Sequence, residues 1–455
     1  MASKEIRGSY HVDEELEQQG KGLDDLIGKG IINRNNRNYL ESRLKTNIRP
    51  LTESDDYEVY FSGKSINGSL LTGSLEAKKL DGFEKFTKYG GGDAKKILIP
   101  KGQALKFIDI GLQFTVIMTN LNEAFLYGDF VYGSSSADIN PLGRQLSILM
   151  TPEVKINNFP YEPVAMLCGE QFVAVLDSCN RLWYCGIETH IGTASNNCTY
   201  DFVEIGLKKY LETEFNDETT HITHFRVGGR HLCLCINNRT IISTGANYFG
   251  QLGIINTPDL VPSVLPSTVV DALYSYTFVK SWNEDGKYRV RDVACSGNMT
   301  AILTECGKLF KTCNASEPIQ AVVLDGFSLT TIGGNWTHIL AHTSKNQMMG
   351  ITDNHVTEFF SESPIKNCDN LQISTGTNSN YTYFIYSNNE LYEPRNPNPV
   401  LKSSLPIVVC KMTSKATMVL CMNCKNNKSI VAMKRNMLQC TVSQGLSDIL
   451  INVHQ

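Results

Sequence analysis

His231, the pair Cys421 and Cys424, and the run Gly90-Gly91-Gly92-Asp93-Ala94-Lys95-Lys96 are the places in this chain where residue type and spacing suggest chemistry. An imidazole moves protons, ligates metals or bridges two hydrogen-bonding groups. His231 follows Gly228-Gly229-Arg230 and opens the apolar run Leu232-Cys233-Leu234. A histidine so placed is expected to bond backbone in a neighbouring strand rather than to meet a ligand. Cys421-Met422-Asn423-Cys424 is one CxxC without a second pair or a nearby histidine, and a zinc site needs four ligands. A redox CxxC belongs beside a βαβ pattern, which is lacking here. The glycine run lacks the Gly-Lys-Ser/Thr ending of a phosphate-binding loop and reads as a loop between structural units. No Ser-His-Asp, metal-ligand or paired-carboxylate constellation stands out. The expectation is a chain with no catalytic residues, no metal and no cofactor.

The elements that hold these residues read as strands. The chain has 455 residues, 42% hydrophobic and 19% charged, which is enough for a large core. Its formal net charge of -4 gives no general basic excess, so no nucleic-acid partner is expected. The N-terminus has no apolar signal region, and no apolar run reaches membrane-spanning length. Fourteen cysteines sit mainly in apolar runs, as in Cys168, Cys233, Cys235, Cys295 and Cys410. They read as buried thiols of a reducing compartment, cytoplasmic with a nuclear location left open. A monomer is expected.

A frame recurs along the chain: apolar residues, a glycine, a short variable stretch, a threonine or small residue, then apolar residues again. Its anchors fall at Gly111, Gly169, Gly228, Ser296, Gly333, Gly376 and Lys411. A second apolar strand follows each copy, as in Ala124–Gly128 and Arg181–Gly186. The best-kept unit ends in Gly245-Ala246-Asn247-Tyr248-Phe249-Gly250-Gln251-Leu252-Gly253. Glycine takes positive φ without strain, Asn247 suits a local side-chain bond to backbone, and Leu252 is expected to plug into a core. A half-unit near Glu58–Gly63 lacks its inner strand, and the copy at 406–420 can supply one. Joining them closes a ring with no exposed edge. Short strands repeating in this way predict an all-β fold of propeller blades rather than a helical solenoid.

The 245–253 turn, with Val227-Gly228…His231 before it, resembles the repeat of the regulator of chromosome condensation family. That resemblance implies a seven-bladed β-propeller over 57–435, ring closed by N- and C-terminal strands, with a polar extension at 1–56 and a tail at 436–455. The match is divergent. The family's His-Thr pair survives only in halves, because His231 lacks the threonine while Thr115, Thr300 and Thr337 lack the histidine.

Function then rests on exposed turns, since loops on a rigid scaffold carry recognition. Asp129, Phe130 and Tyr132, Glu188 and His190, and Tyr248 and Phe249 are the candidates, aromatic turn residues being plausible interface anchors. The expected function is a non-catalytic protein-interaction propeller, a scaffold or adaptor with protein partners. The family resemblance implies an alternative, guanine-nucleotide exchange on a Ran-type small GTPase, with the long turn Asp129–Met150 as the wedge.

Overall fold

The computed structural model describes Leu51 and residues 56–423, apart from 73, 75, 132–142, 152–153, 188–197, 216–219, 248, 254–287, 313–319, 323–327, 335–337, 352–355, 361–371, 377–383, 394–395 and 397. The tail, Cys424 and nearly all of the polar extension therefore lie outside the described residues. So do Tyr132, Glu188, His190, Tyr248 and Thr337.

Successive strands form antiparallel meanders. Leu105–Ile110, Phe114–Thr119, Ala124–Gly128 and Arg144–Thr151 make one, and Pro163–Cys168, Phe172–Asp177, Leu182–Ile187 and Cys198–Glu204 make the next. Their outer strands pair in parallel, and with the short strand Val154–Ile156 on Arg144–Thr151 the two share a nine-stranded sheet. A three-stranded meander begins at Ile222, and four-stranded ones begin at Val290, Leu329 and Gln372. The remaining sheet joins the chain ends. Asp56–Ser65 lies antiparallel to Ala416–Asn423, in register from Asp56 opposite Asn423 to Gly63 opposite Ala416. Two C-terminal strands, Ile407–Met412 and Ala416–Asn423, thus complete the N-terminal half-unit. Thr375–Gly376 adds to this sheet in parallel, while the adjacent Gln372–Ile373 stays with its own.

Every residue of Leu105–Ile110 and Phe114–Thr119 is buried, because each sheet packs between two others and both faces need apolar side chains. The expectation of an all-β chain needs one correction. Leu207–Glu214 is a helix that buries Leu207 and Leu211 one turn apart and pairs Lys208 with Glu212 on its outer side. The Gly90–Gly92 loop also differs from expectation. It joins Lys78–Thr87 to Lys95–Lys96 within one sheet rather than linking two.

The turn between second and third strands recurs with the same chemistry. Asn122, Asn180, Gly307 and Asn346 have φ of 60, 60, 81 and 62°. Each donates its N–H to the residue three before it: Thr119, Asp177, Thr304 and Thr343. This is a three-residue hairpin loop closed by a left-handed residue, which asparagine tolerates and glycine prefers. It gives a structural reason for Asn122, Asn180 and Asn346.

Candidate interaction face

The centre is laced by backbone bonds between neighbouring meanders. Leu112 N donates to Glu170 O at 2.8 Å, Glu170 N to Gly229 O at 2.9 Å, and Gly229 N to Ser296 O at 3.2 Å. The close approach demands glycine at Gly228, where a Cβ would stand 2.3 Å from Ser296 O and 2.3 Å from the His231 ring. Gly111 and Gly169 are packed in the same way against the rings of Phe114 and Phe172, and Gly333 faces Ile373 of the following sheet.

His231 is fully buried. Its Nε2 lies 2.9 Å from Thr300 Oγ1 in the next sheet. Thr300 Oγ1 donates to Gln251 O at 3.0 Å, and Thr312 Oγ1 donates to the same carbonyl at 3.1 Å. With its one proton on Gln251, the Thr300 hydroxyl must accept from His231, so Nε2 carries the hydrogen. The expected partner, backbone, is corrected: the imidazole holds the ring together through a hydroxyl. The His and Thr halves, unpaired within their own units, meet across the seam between units.

That seam also anchors the glycine turn. Leu252 N donates to Asn247 Oδ1 at 2.8 Å, and both Leu252 and Asn247 are buried. Gly245, Gly250 and Gly253 have φ of 121, 74 and 73°, left-handed values that strain other residues. Phe249 N donates to Gln251 Oε1 at 2.9 Å, and the Phe249 ring is 49% exposed. An exposed aromatic is therefore presented on a bonded turn.

Four of the third strands end on one face, beside the first turns. Asp129 N bonds Gln113 O, Ile187 N bonds Gln171 O, Ala246 N bonds Arg230 O, and Thr312 N bonds Thr300 O. On this face Val131 is 38% exposed and the Arg230 side chain 41%, the latter reaching Glu170 at 3.4 Å. Burial pushes the Glu170 carboxyl above the usual range, with Arg230 opposing.

Two candidate anchors are corrected. Phe130 is buried, edge-on to Phe114 at 4.8 Å and tilted on Tyr200 at 5.6 Å. Asp129 is buried and accepts from Tyr200 Oη at 2.6 Å, while Arg144 stacks on the Tyr200 ring at 4.2 Å. Apolar contact turns Phe130 inward, so both residues pin the base of the loop rather than face a partner. The supposed wedge is also shorter than Asp129–Met150, because the chain is back in strand at Arg144.

Charge at the centre went unforeseen. Lys411 Nζ donates to Asp109 Oδ2 at 2.6 Å, and Cys168 N donates to the same oxygen at 2.6 Å. Arg226 reaches Asp292 at 3.0 Å and Val293 O at 2.9 Å. Burial raises the Asp109 carboxyl against the pull of Lys411. Asp177, pushed up to about 6 by burial, accepts Trp183 Nε1 at 2.8 Å and the N–H groups of Cys179 and Arg181. Each of these groups is engaged in holding strands or turns. Among the described residues no three His, Cys, Asp or Glu side chains are grouped to hold a metal.

This closed arrangement of meanders is a β-propeller. No family model and no curated sequence matches the chain. Among solved structures it is similar to Prp20p of Saccharomyces cerevisiae, described with its binding properties to Gsp1p and histones, at 11% identity and a TM-score of 0.53, over 89% of this chain and 98% of that one. Yeast RCC1 (Prp20) bound by Kap60 gives 11% identity and a TM-score of 0.54, over 87% and 96%. The propeller is RCC1-like.

Proposed function

We propose that this chain is a seven-bladed interaction propeller that docks a protein partner on the face bearing Val131, Arg230 and Phe249. The blade count takes the nine-stranded sheet as two blades and the sheet of the chain ends as one. The observation that carries the reading is Phe249, half exposed on a turn whose backbone and neighbours are bonded in place. A rigid aromatic loses little entropy on binding, which suits an anchor. The buried ionic groups Asp109, Lys411 and Asp177 are engaged in the scaffold, which favours docking over catalysis.

Affinity capture with the full chain and with Phe249→Asp tests this. Partners lost from the variant, at unchanged thermal stability, are expected. A partner set unchanged by both Phe249→Asp and Val131→Asp refutes the choice of face.

Exchange on a Ran-type GTPase is the second reading, favoured by the likeness to Prp20p, whose description includes binding to Gsp1p. The fixed base at Asp129, Phe130 and Arg144 would brace such a loop. Nucleotide release unaccelerated at micromolar protein sinks this reading.

A further inference from the structure

Lysine is concentrated on one outer edge of the sheet that joins the chain ends. Residues 78–96 hold six lysines against three carboxylates, in a chain of net charge -4. Two of the lysines are neutralised: Lys85 pairs with Glu58, and Lys95 with Glu84. The same Glu84 stands 3.8 Å from Lys78. Lys79 is exposed and sits opposite Lys64, a like-charge pairing that costs stability across a sheet. Lys96 is exposed opposite Thr87, at the other end of Lys78–Thr87. Between them the strand Lys78–Thr87 extends for about 30 Å.

Tyr89 stands at the Lys96 end. It is 78% exposed, and the Lys88 ammonium lies 5.2 Å from its ring centroid. The following glycines turn the chain back, with Gly90 close enough that a Cβ would meet Lys96 Cβ at 3.2 Å. Edge lysines guard against strand pairing between molecules. That accounts for Lys95 and Lys96 but not for an exposed aromatic or for Lys64 facing Lys79.

We propose that this edge binds the backbone of single-stranded nucleic acid. A polyphosphate meets a row of ammonium groups along the strand, and one base stacks on Tyr89. Stacking platforms set within basic tracks are how single strands are held without sequence preference. A membrane surface is the poorer occupant, because Tyr89 is the one large apolar side chain among the described residues exposed on this edge. The net charge of the chain hides the patch, since it averages over all faces. The proposal concerns a surface separate from the Phe249 face and stands or falls independently of it.

The test is fluorescence anisotropy of a labelled oligothymidylate against the full chain, between about 50 and 200 mM salt. Lys79→Glu/Lys88→Glu/Lys96→Glu is expected to abolish most binding at low salt. Neutral Ala versions are expected to reduce the slope of log affinity against log salt by about 0.7 per lysine. Tyr89→Ala is expected to weaken binding roughly tenfold with the salt slope unchanged. Circular dichroism and melting temperature confirm that each variant folds. No binding by the parent chain at low salt overturns the proposal, as does parent-like binding by the triple Glu variant. Co-sedimentation with phosphatidylserine vesicles, lost in the same variants while the oligonucleotide fails to bind, reassigns the patch to a membrane and also overturns it.

Discussion

The seam between His231 and Thr300 makes a quantitative claim about what joins neighbouring blades. Thr300→Val keeps the side-chain shape and removes one hydroxyl. Two strong hydrogen bonds go with it, to His231 Nε2 at 2.9 Å and to Gln251 O at 3.0 Å, together with a long, weak one to Cys295 Sγ at 3.8 Å. At about 1 kcal/mol net for each bond, the direct loss is about 2 kcal/mol. Gln251 O keeps Thr312 at 3.1 Å, so the carbonyl stays satisfied. His231 does not: it is fully buried, its Nδ1 has no partner, and Nε2 would lose its one acceptor. An orphaned buried donor adds roughly 1–3 kcal/mol. The expected total is about 3–5 kcal/mol. His231→Leu combined with Thr300→Val should cost less than the sum of the two single changes, with a coupling of about 1–2 kcal/mol. Urea unfolding followed by tryptophan fluorescence, with the m-value compared among variants, measures all three. Hydrogen exchange at residues 249–252 should quicken in Thr300→Val, because the turn loses one of its two clasps. A Thr300→Val protein within about 0.5 kcal/mol of the parent would refute the seam as a stabilising contact.

Three further outcomes follow from the buried groups. Asp177 has a folded pKa of about 6 against 3.8 unfolded, so the native state binds the extra proton and stability falls as pH rises between those values, by up to about 3 kcal/mol; Asp177→Asn should remove that slope from the pH–stability curve, and parallel curves would refute it. Lys411→Met should cost about 3–5 kcal/mol by leaving the Asp109 carboxylate unpaired, whereas Asp109→Leu/Lys411→Met should recover much of the loss; equal destabilisation of the two proteins in urea would show that the ion pair is not the cause. Gly186→Ala should destabilise by more than about 3 kcal/mol, because φ is +132° and the new Cβ would stand 2.4 Å from Gln171 O, while Gly82→Ala, at φ +99° in open space, should cost about 1 kcal/mol; similar melting temperatures for the two would contradict this.

What could be read from the sequence was what the backbone demands. The anchors Gly111, Gly169, Gly228 and Gly333 stood out because nothing larger fits where backbone and packed side chains approach, whereas Ser296 and Lys411 occupy the same place without that demand. The 245–253 turn was legible for a related reason, since its glycines carry left-handed torsions. A second signal was available and went unused. Thr119…Asn122, Asp177…Asn180, Thr304…Gly307 and Thr343…Asn346 share a spacing of three, and each closes the same hairpin. The centre could not be read in this way, because Lys411 and Asp109 are 302 residues apart and no local pattern couples them. Phe130 misled because an aromatic beside a turn glycine reads the same whether it faces solvent or Phe114.

The same division explains how a propeller fold can be shared at 11% identity. The rungs Leu112–Glu170, Glu170–Gly229 and Gly229–Ser296 run from main chain to main chain. Any residue with an N–H supplies them, so the side chains at Leu112 and Glu170 are released from the job of closing the ring. Selection can then act on glycine positions and turn torsions while the rest of each strand changes, provided it stays apolar where both faces are covered. A specific side-chain clasp such as His231–Thr300 need not repeat from blade to blade, because it supplements the Gly229–Ser296 rung rather than replacing it. A sequence built on those terms keeps its fold with few shared residues, and its surface turns and edges are left open to acquire partners of their own.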